Sequence, residues 1–189
     1  MSCDTDRSDS ELIKQAAACD DQAFETLVRR HQHTAWRIAY RYTGNRPDAE
    51  EIAQDAFLRV QAVASRYQSK ARFITFFYRI VVNLCIDHHR KRKRRPDTEA
   101  VLPEQASREP AGDAVYDKKE RDDLVQQALD CLPEQQRLII VLRYFEELPL
   151  SGIAEVMNAS RKGIERRLAR ARRQLKKQLI EKKVAPPGE

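Results

Sequence analysis

The sequence predicts an all-α chain of two small helical domains joined by a flexible linker. Apolar residues recur at three- and four-residue spacing wherever they cluster, and no segment alternates in the β manner. Charged residues make up 34% of the chain and there are only five glycines, which suits helices with wide polar faces. The periodicity lapses for a long stretch only over residues 96–116, which hold three prolines, a glycine and small residues. A length of 189 residues gives room for one medium domain or two small ones. The expected layout is a helical bundle over 8–95, an acidic linker over 96–116 and a second helical domain over 117–181.

Each element has a local reason. Ser8-Asp9-Ser10-Glu11 offers an N-cap with acids in the first turn, starting a short helix to about Cys19. A second helix begins at Asp20 or Asp21 and spaces Phe24, Leu27, Val28, His31, Ala35, Ile38 and Tyr42 along one side, until Gly44-Asn45-Arg46-Pro47 stops it. Asp48 opens a third helix to about Arg66, with Ile52, Ala53, Ala56, Phe57 and Val60 inward. Asp48, Glu51 and Asp55 form a neighbouring acidic stripe, with Gln54 and Arg59 at its margins. The fourth helix, 73–95, turns Phe73, Phe77, Ile80 and Leu84 to one side and Thr75, Arg79, Asn83 and Arg90 to the other, with Phe76 at the edge. Structure resumes near Asp117 with Leu124, Ala128, Leu129 and Leu132 on an apolar face, and Pro133 starts a helix through Leu138, Ile139, Val141 and Leu142. A short helix spans Pro149 to Met157, Asn158 supplies a left-handed turn, and Ser160 caps a long final helix.

Charge distribution bears on partners. His88 to Arg95 holds six lysines and arginines and no acid, and Arg161 to Lys183 holds eleven bases against two acids. Two basic modules thus flank an acidic connector, the layout of a two-site nucleic-acid binder. On the fourth helix, basic groups suit phosphates, and an aromatic ring beside an amide suits an unstacked base; a buried helix with a solvated charged end fits the same residues. Short helix, tight turn and long helix is the helix-turn-helix spacing. In the long helix Ile164, Leu168, Ala171, Leu175 and Leu179 make a narrow buried seam, backed by Lys162, Arg166, Ala169, Arg170, Arg173 and Lys177. Its first turns, with Arg161, Lys162, Glu165 and Arg166, are placed for base edges, and Arg170 and Arg173 for phosphates. The acidic stripe would repel DNA and suits protein docking, although an ordinary solvated face has the same periodicity.

Other classes fit poorly. The sequence shows no phosphate-binding glycine loop, nucleophile elbow or convergent acid–base pair, so no catalytic residue, small-molecule substrate or cofactor is expected. Cys85, His88 and His89 share one side of a helix but lack a fourth ligand nearby, so no metal is expected. Four scattered cysteines, no signal pattern and no membrane-length apolar window lead to an expected cytoplasmic location. A stand-alone helix-turn-helix regulator is the alternative, but the first half has no βα alternation for a receiver domain. An RNA chaperone would tolerate the charge without explaining the acidic helix.

The segment AFETLVRRHQHTAWRIAYRYTGNRPDAEEIAQDAFLRV, followed by RFITFFYRIVVNLCIDHHRKRKR, resembles region 2 of bacterial sigma factors. LPEQQRLIIVLRYFEELPLSGIAEVMNASRKGIERRLARARRQL resembles region 4. Two regions and a short linker are the layout of the extracytoplasmic-function (ECF) class. The resemblance implies a subunit that binds core RNA polymerase through β and β′, directs it to promoter DNA and helps open the duplex. It places Asp48, Glu51, Gln54, Asp55 and Arg59 on the β′-docking surface. The loop Tyr67 to Arg72, with Phe76, Arg79, Asn83, Asp87 and Arg90, falls on the −10 reading and melting surface. Arg161, Lys162, Glu165, Arg166, Arg170 and Arg173 fall on the −35 reading helix. It also implies an anti-sigma partner, often membrane-anchored, which would hold the chain at the membrane. This chain departs from the family pattern at Arg161-Lys162-Gly163, Glu165, Pro149, Gly152, Asn158 and Phe76.

Overall fold

The computed structural model describes residues 7–67, 72–94 and 113–184, with side chains of the last segment described over 122–181. Every regular element among them is helical: α1 (Asp9–Ala17), α2 (Asp21–Thr43), α3 (Arg46–Val63) with a 3-10 turn at Ala64–Arg66, α4 (Phe73–Arg94), α5 (Asp113–Asp130), α6 (Glu134–Ile140) running into a π turn at Val141–Phe145, α7 (Leu150–Val156) and α8 (Arg161–Val184). None of these is long and apolar enough to cross a membrane.

The caps follow local chemistry. At α1, Ser8 accepts from the Glu11 amide while the Glu11 carboxylate takes the Ser8 amide, so two orphan donors are satisfied reciprocally. Gly44 ends α2 at φ 68°, a left-handed position that a side chain would strain. Asn45 accepts from the Asp48 amide and Pro47 sits in the first turn, so α3 starts at Arg46, two residues before the expected Asp48. Helix α5 starts at Asp113, inside the stretch expected to be linker through Tyr116. The rest of that linker, 96–112, lies outside the described residues, as do 68–71 of the loop expected to face DNA.

Helix α4 is the centre of the bundle. Phe73, Phe77 and Leu84 are buried as the apolar stripe requires, while Ile80 is half-buried. Tyr78, Val81, Val82 and Cys85 are buried as well, because α2, α3 and α7 all pack on this helix. Phe73 and Phe77 stack at 5.9 Å, with Phe57 5.2 Å from Phe77. Trimming Phe77 to alanine would cost about 3–5 kcal/mol.

The two halves share one apolar core, and polar contacts tie them further. Arg37 of α2 donates two 2.8 Å hydrogen bonds to Glu146, which follows the π turn and has a side chain only 2% exposed. Tyr78 donates to the same carboxylate at 3.3 Å. Burial and that neighbouring charge push the Tyr78 hydroxyl's pKa up, so it stays a neutral donor. The Glu146 hydrogen bond holds the Arg37 guanidinium higher still. Further along, Arg41 lies 4.7 Å over the Phe145 ring and pairs with Asp122, Arg137 donates to the Tyr42 carbonyl, and His89 meets Glu134 at 2.7 Å.

Candidate nucleic-acid interface

The expected acidic stripe exists, with one addition. On α3, Ile52, Ala53, Ala56, Phe57 and Val60 are buried, which leaves Glu51 and Gln54 exposed and Asp55 half-buried on the outer face. Leu58, one helical step beyond, is 62% exposed. Glu51, Gln54, Asp55 and Leu58 follow the i, i+3, i+4, i+7 pattern of a single face. The apolar side read from spacing left Leu58 out but gave it no role; the signal that could have found it was its position three and seven residues after Asp55 and Glu51. Asp48 lies on the same side, three residues before Glu51, but its charge is not free for a partner. It is half-buried, 3.2 Å from Arg92 and 3.6 Å from His88, so its charge is engaged inside the chain. Arg59 approaches Asp87 at 4.0 Å, which links the margin of the acidic face to α4.

Arg72, just before α4, and Arg79, Asn83 and Arg90 on it are exposed, and Thr75, Phe76 and Asp87 are half-buried. Arg79 donates to the Glu155 carbonyl of α7 at 2.9 Å. Phe76 belongs to an aromatic cluster with Tyr67 at 5.3 Å and Phe73 at 6.3 Å. Beside it opens a pocket of about 350 Å³ lined by Arg59, Ala62, Val63, Arg66, Tyr67, Phe76 and Ile80. Aromatic and aliphatic walls with two guanidinium groups are the surroundings that a flat heterocycle joined to a phosphate requires. Sequence reasoning placed Phe76 and Tyr67 on this surface but missed Arg66.

The helix-turn-helix spans α7, Asn158 at φ 47° and α8. Ser160 accepts from the Gly163 amide at 3.1 Å and sets the start of α8. Ile164, Leu168 and Ala171 are buried and Leu175 and Leu179 half-buried, so the inner seam lies where the spacing put it. Arg161, Lys162, Glu165, Arg166, Arg170 and Arg173 are all exposed. Arg161 and Glu165 pair with each other at 3.1 Å, which leaves Lys162, Arg166 and Arg167 as the cations of the first two turns without an ion pair among the described residues. Further along, α8 and α5 border an open groove of about 880 Å³ lined in part by Leu124, Tyr144, Arg173 and Ile180.

Cys85, His88 and His89 point apart. Cys85 is fully buried and its thiol pKa is pushed up by that burial, His88 faces Asp48, and His89 faces Glu134.

Comparison with known proteins agrees with this geometry. The Sigma-70 region 2 family matches residues 27–95, and the Sigma-70, region 4 family matches residues 122–175. The chain is 34% identical over 187 residues to the ECF RNA polymerase sigma factor SigW of Bacillus subtilis, covering 88% of this chain and 94% of that relative. It is 30% identical over 184 residues to the RNA polymerase sigma-H factor of Pseudomonas aeruginosa, covering 93% and 95%. In fold it is similar to a chain in the structure of CnrH in complex with the cytosolic domain of CnrY, with a TM-score of 0.70, 24% identity and coverage of 93% of this chain and 99% of that one.

Proposed function

The chain belongs to the extracytoplasmic-function sigma factors of RNA polymerase, and from that premise we propose how its surfaces divide the work of initiation. A sigma factor binds core polymerase and directs it to promoters. Such factors are generally initiation factors rather than enzymes, and no bond is made or broken by this chain.

Helix α3 docks the polymerase. Glu51, Gln54 and Asp55 offer charge and hydrogen bonds, Leu58 offers the apolar contact, and Arg59 flanks them. Asp48 contributes less directly, because Arg92 and His88 already hold it; its task is to orient the basic end of α4. Helix α4 meets the −10 element. The Asn83 amide recognises an exposed base, Arg79, Arg90 and Arg72 hold backbone phosphates, and Asp87 positions Arg59 and Arg90. The pocket beside Phe76 and Tyr67 receives a base drawn out of the stack. Unstacking costs a few kcal/mol per base, and stacking on an aromatic wall returns about 1–3 kcal/mol. Helix α8 reads the −35 element, with Lys162 and Arg166 at base edges, Arg161 and Glu165 as a coupled pair beside them, and Arg170 and Arg173 on phosphates.

The observation that carries this division is the contrast of surfaces. The helix-turn-helix face is predominantly cationic, whereas α3 presents acids around an exposed leucine. Nucleic acid repels the second surface and binds the first. An anti-sigma protein is a further partner; support comes from a structure of similar fold, RpoE in complex with the anti-sigma factor NepR from Bartonella quintana, with 20% identity and a TM-score of 0.63.

The decisive experiment is transcription with purified core polymerase. A sigma factor creates promoter-specific starts that core alone does not make. A stand-alone regulator, the alternative, would only block or enhance starts made with another factor.

A further inference from the structure

We propose that Arg161 and Glu165 form one composite reader on α8 that selects a C·G base pair in the −35 element. Glu165 accepts a hydrogen bond from the cytosine, and Arg161 donates to the guanine. The proposal rests on the −35 role given to α8 above and names the base pair that two of its side chains choose.

Glu165 is out of place on a helix that meets DNA. Of the two acids between Arg161 and Lys183, Glu181 lies at the far end, where Lys177 approaches it at 3.7 Å. Glu165 lies in the first two turns, beside Lys162, Arg166 and Arg167, and phosphates would repel its charge if it stood alone. Arg161 supplies the neutralising partner, its Nε donating to Glu165 Oε1 at 3.1 Å. The fold gains little from this pair. Both side chains are exposed, by 70% and 44%, where an ion pair one turn apart stabilises a helix only slightly. The order is also the poorer one for a helix, with the cation at its first residue, against the macrodipole, and the acid a turn later. Pairing at this place serves the outer surface rather than the helix.

The atoms left over define what that surface recognises. With Nε engaged, both terminal nitrogens of Arg161 remain as donors, and Oε2 of Glu165 remains as an acceptor. The two side chains thus present one acceptor beside two donors. In the major groove a C·G pair offers the complement in the same order: the cytosine N4 amine, then guanine O6 and N7. An A·T pair sets its N6 amine between two acceptors, so Arg161 gains one contact there instead of two adjacent ones. A G·C pair carries the same groups in reverse. Because Arg161 stands one helical turn before Glu165, the direction of α8 in the groove separates the two orientations. The neighbouring cations cannot replace this reader. Lys162, Arg166 and Arg167 are donors only, and the Ser160 hydroxyl oxygen already accepts from the Gly163 amide. Among the described side chains of those turns, Glu165 carries the only carboxylate for a base amine.

The test uses the full chain assembled with core polymerase, and promoters carrying every base pair at each −35 position. Transcripts counted per promoter give the preference at each position, and thermal melts report on folding. The unaltered chain should favour C·G at one position by roughly 5- to 150-fold, the range of a bidentate contact. Glu165→Ala should remove that preference and leave the others. Glu165→Gln should move it to A·T, because an amide pairs with both N6 and N7 of adenine. Arg161→Ala should remove the same preference and also weaken every promoter, since it strips the carboxylate of its counter-charge. The double variant, Arg161→Ala with Glu165→Ala, should then initiate better on all sequences than Arg161→Ala alone. Preferences unchanged in both Glu165 variants, or lost evenly at all positions, would overturn the reader and leave an exposed ion pair only. So would a double variant no better than Arg161→Ala, or a base pair other than C·G favoured by the unaltered chain where Glu165→Ala relaxes preference. Initiation by the unaltered chain with no preference at any −35 position would instead overturn the −35 role of α8 itself, a result told apart because it needs no variant.

Discussion

Replacing Leu58 by alanine tests the polymerase-docking face with little risk to the fold. The side chain is 62% exposed, so most of it faces solvent in the free chain and its loss opens no cavity. Leu→Ala removes three carbons. At about 0.8 kcal/mol per buried CH₂, scaled by the exposed fraction, burial of those carbons against a partner contributes about 1.5 kcal/mol. Affinity for core polymerase should therefore fall by roughly tenfold, with a melting temperature within a degree or two of the parent. Titration of labelled chain with core, followed by fluorescence anisotropy, measures the first; a thermal melt measures the second. Glu51→Lys with Asp55→Lys should also abolish co-purification with core at unchanged helical content, and its effect should shrink as salt is raised, unlike that of Leu58→Ala. Unchanged affinity for Leu58→Ala would refute the docking assignment. A large fall in melting temperature would show instead that Leu58 packs inside.

Three other predictions follow from single side chains. Asn83→Ala should impair promoter melting more than closed-complex formation, seen as slower and weaker permanganate reactivity of unpaired thymines; an unchanged pattern and rate would remove its base-recognition role. Arg166→Ala should relax preference at one −35 position at a cost of about 1–3 kcal/mol, whereas Arg173→Ala should weaken binding to all sequences and lower the salt slope by about 0.9; promoter libraries read at several salt concentrations separate the two. A Cβ at Gly152 would lie at ordinary contact distance, 3.5 Å from Pro149, so Gly152→Ala should stabilise the chain by about 0.5–1 kcal/mol, while Gly44→Ala, at φ 68° and 3.2 Å from the Asp130 carboxylate, should destabilise it, both read by thermal melts.

What was legible in the sequence was local. The Ser8 N-cap, the stop at Gly44, the left-handed Asn158 and the Ser160 cap each depend on chemistry within four residues, and each stands in the structure where the sequence put it. The inner seam of α8 and the apolar side of α3 were legible for the same reason, since helical spacing fixes a face from its own residues. The misses involve partners from elsewhere. Asp48 reads as one more acid on a stripe until Arg92, 44 positions away, folds back to it. Helix α4 shows one apolar stripe by spacing, yet Tyr78 and Cys85 are buried too, because a third neighbour, α7, arrives from the other half of the chain.

The polar contacts between the halves show why such partners escape a reading by pattern. Arg37 and Glu146 are charged residues at polar positions, and either one alone reads as an ordinary solvated side chain. Their pairing joins positions 109 apart and depends on a π turn, whose extra residue moves Glu146 away from where an α-helical count would aim it. Neither hydropathy nor charge runs carry that displacement. Surfaces that face nucleic acid or polymerase are different, since they need only a face of one helix, and one helix is what a sequence describes well. The faces proposed to bind partners were thus open to inspection in the linear chain, and the Arg37–Glu146 contact between the two units was not.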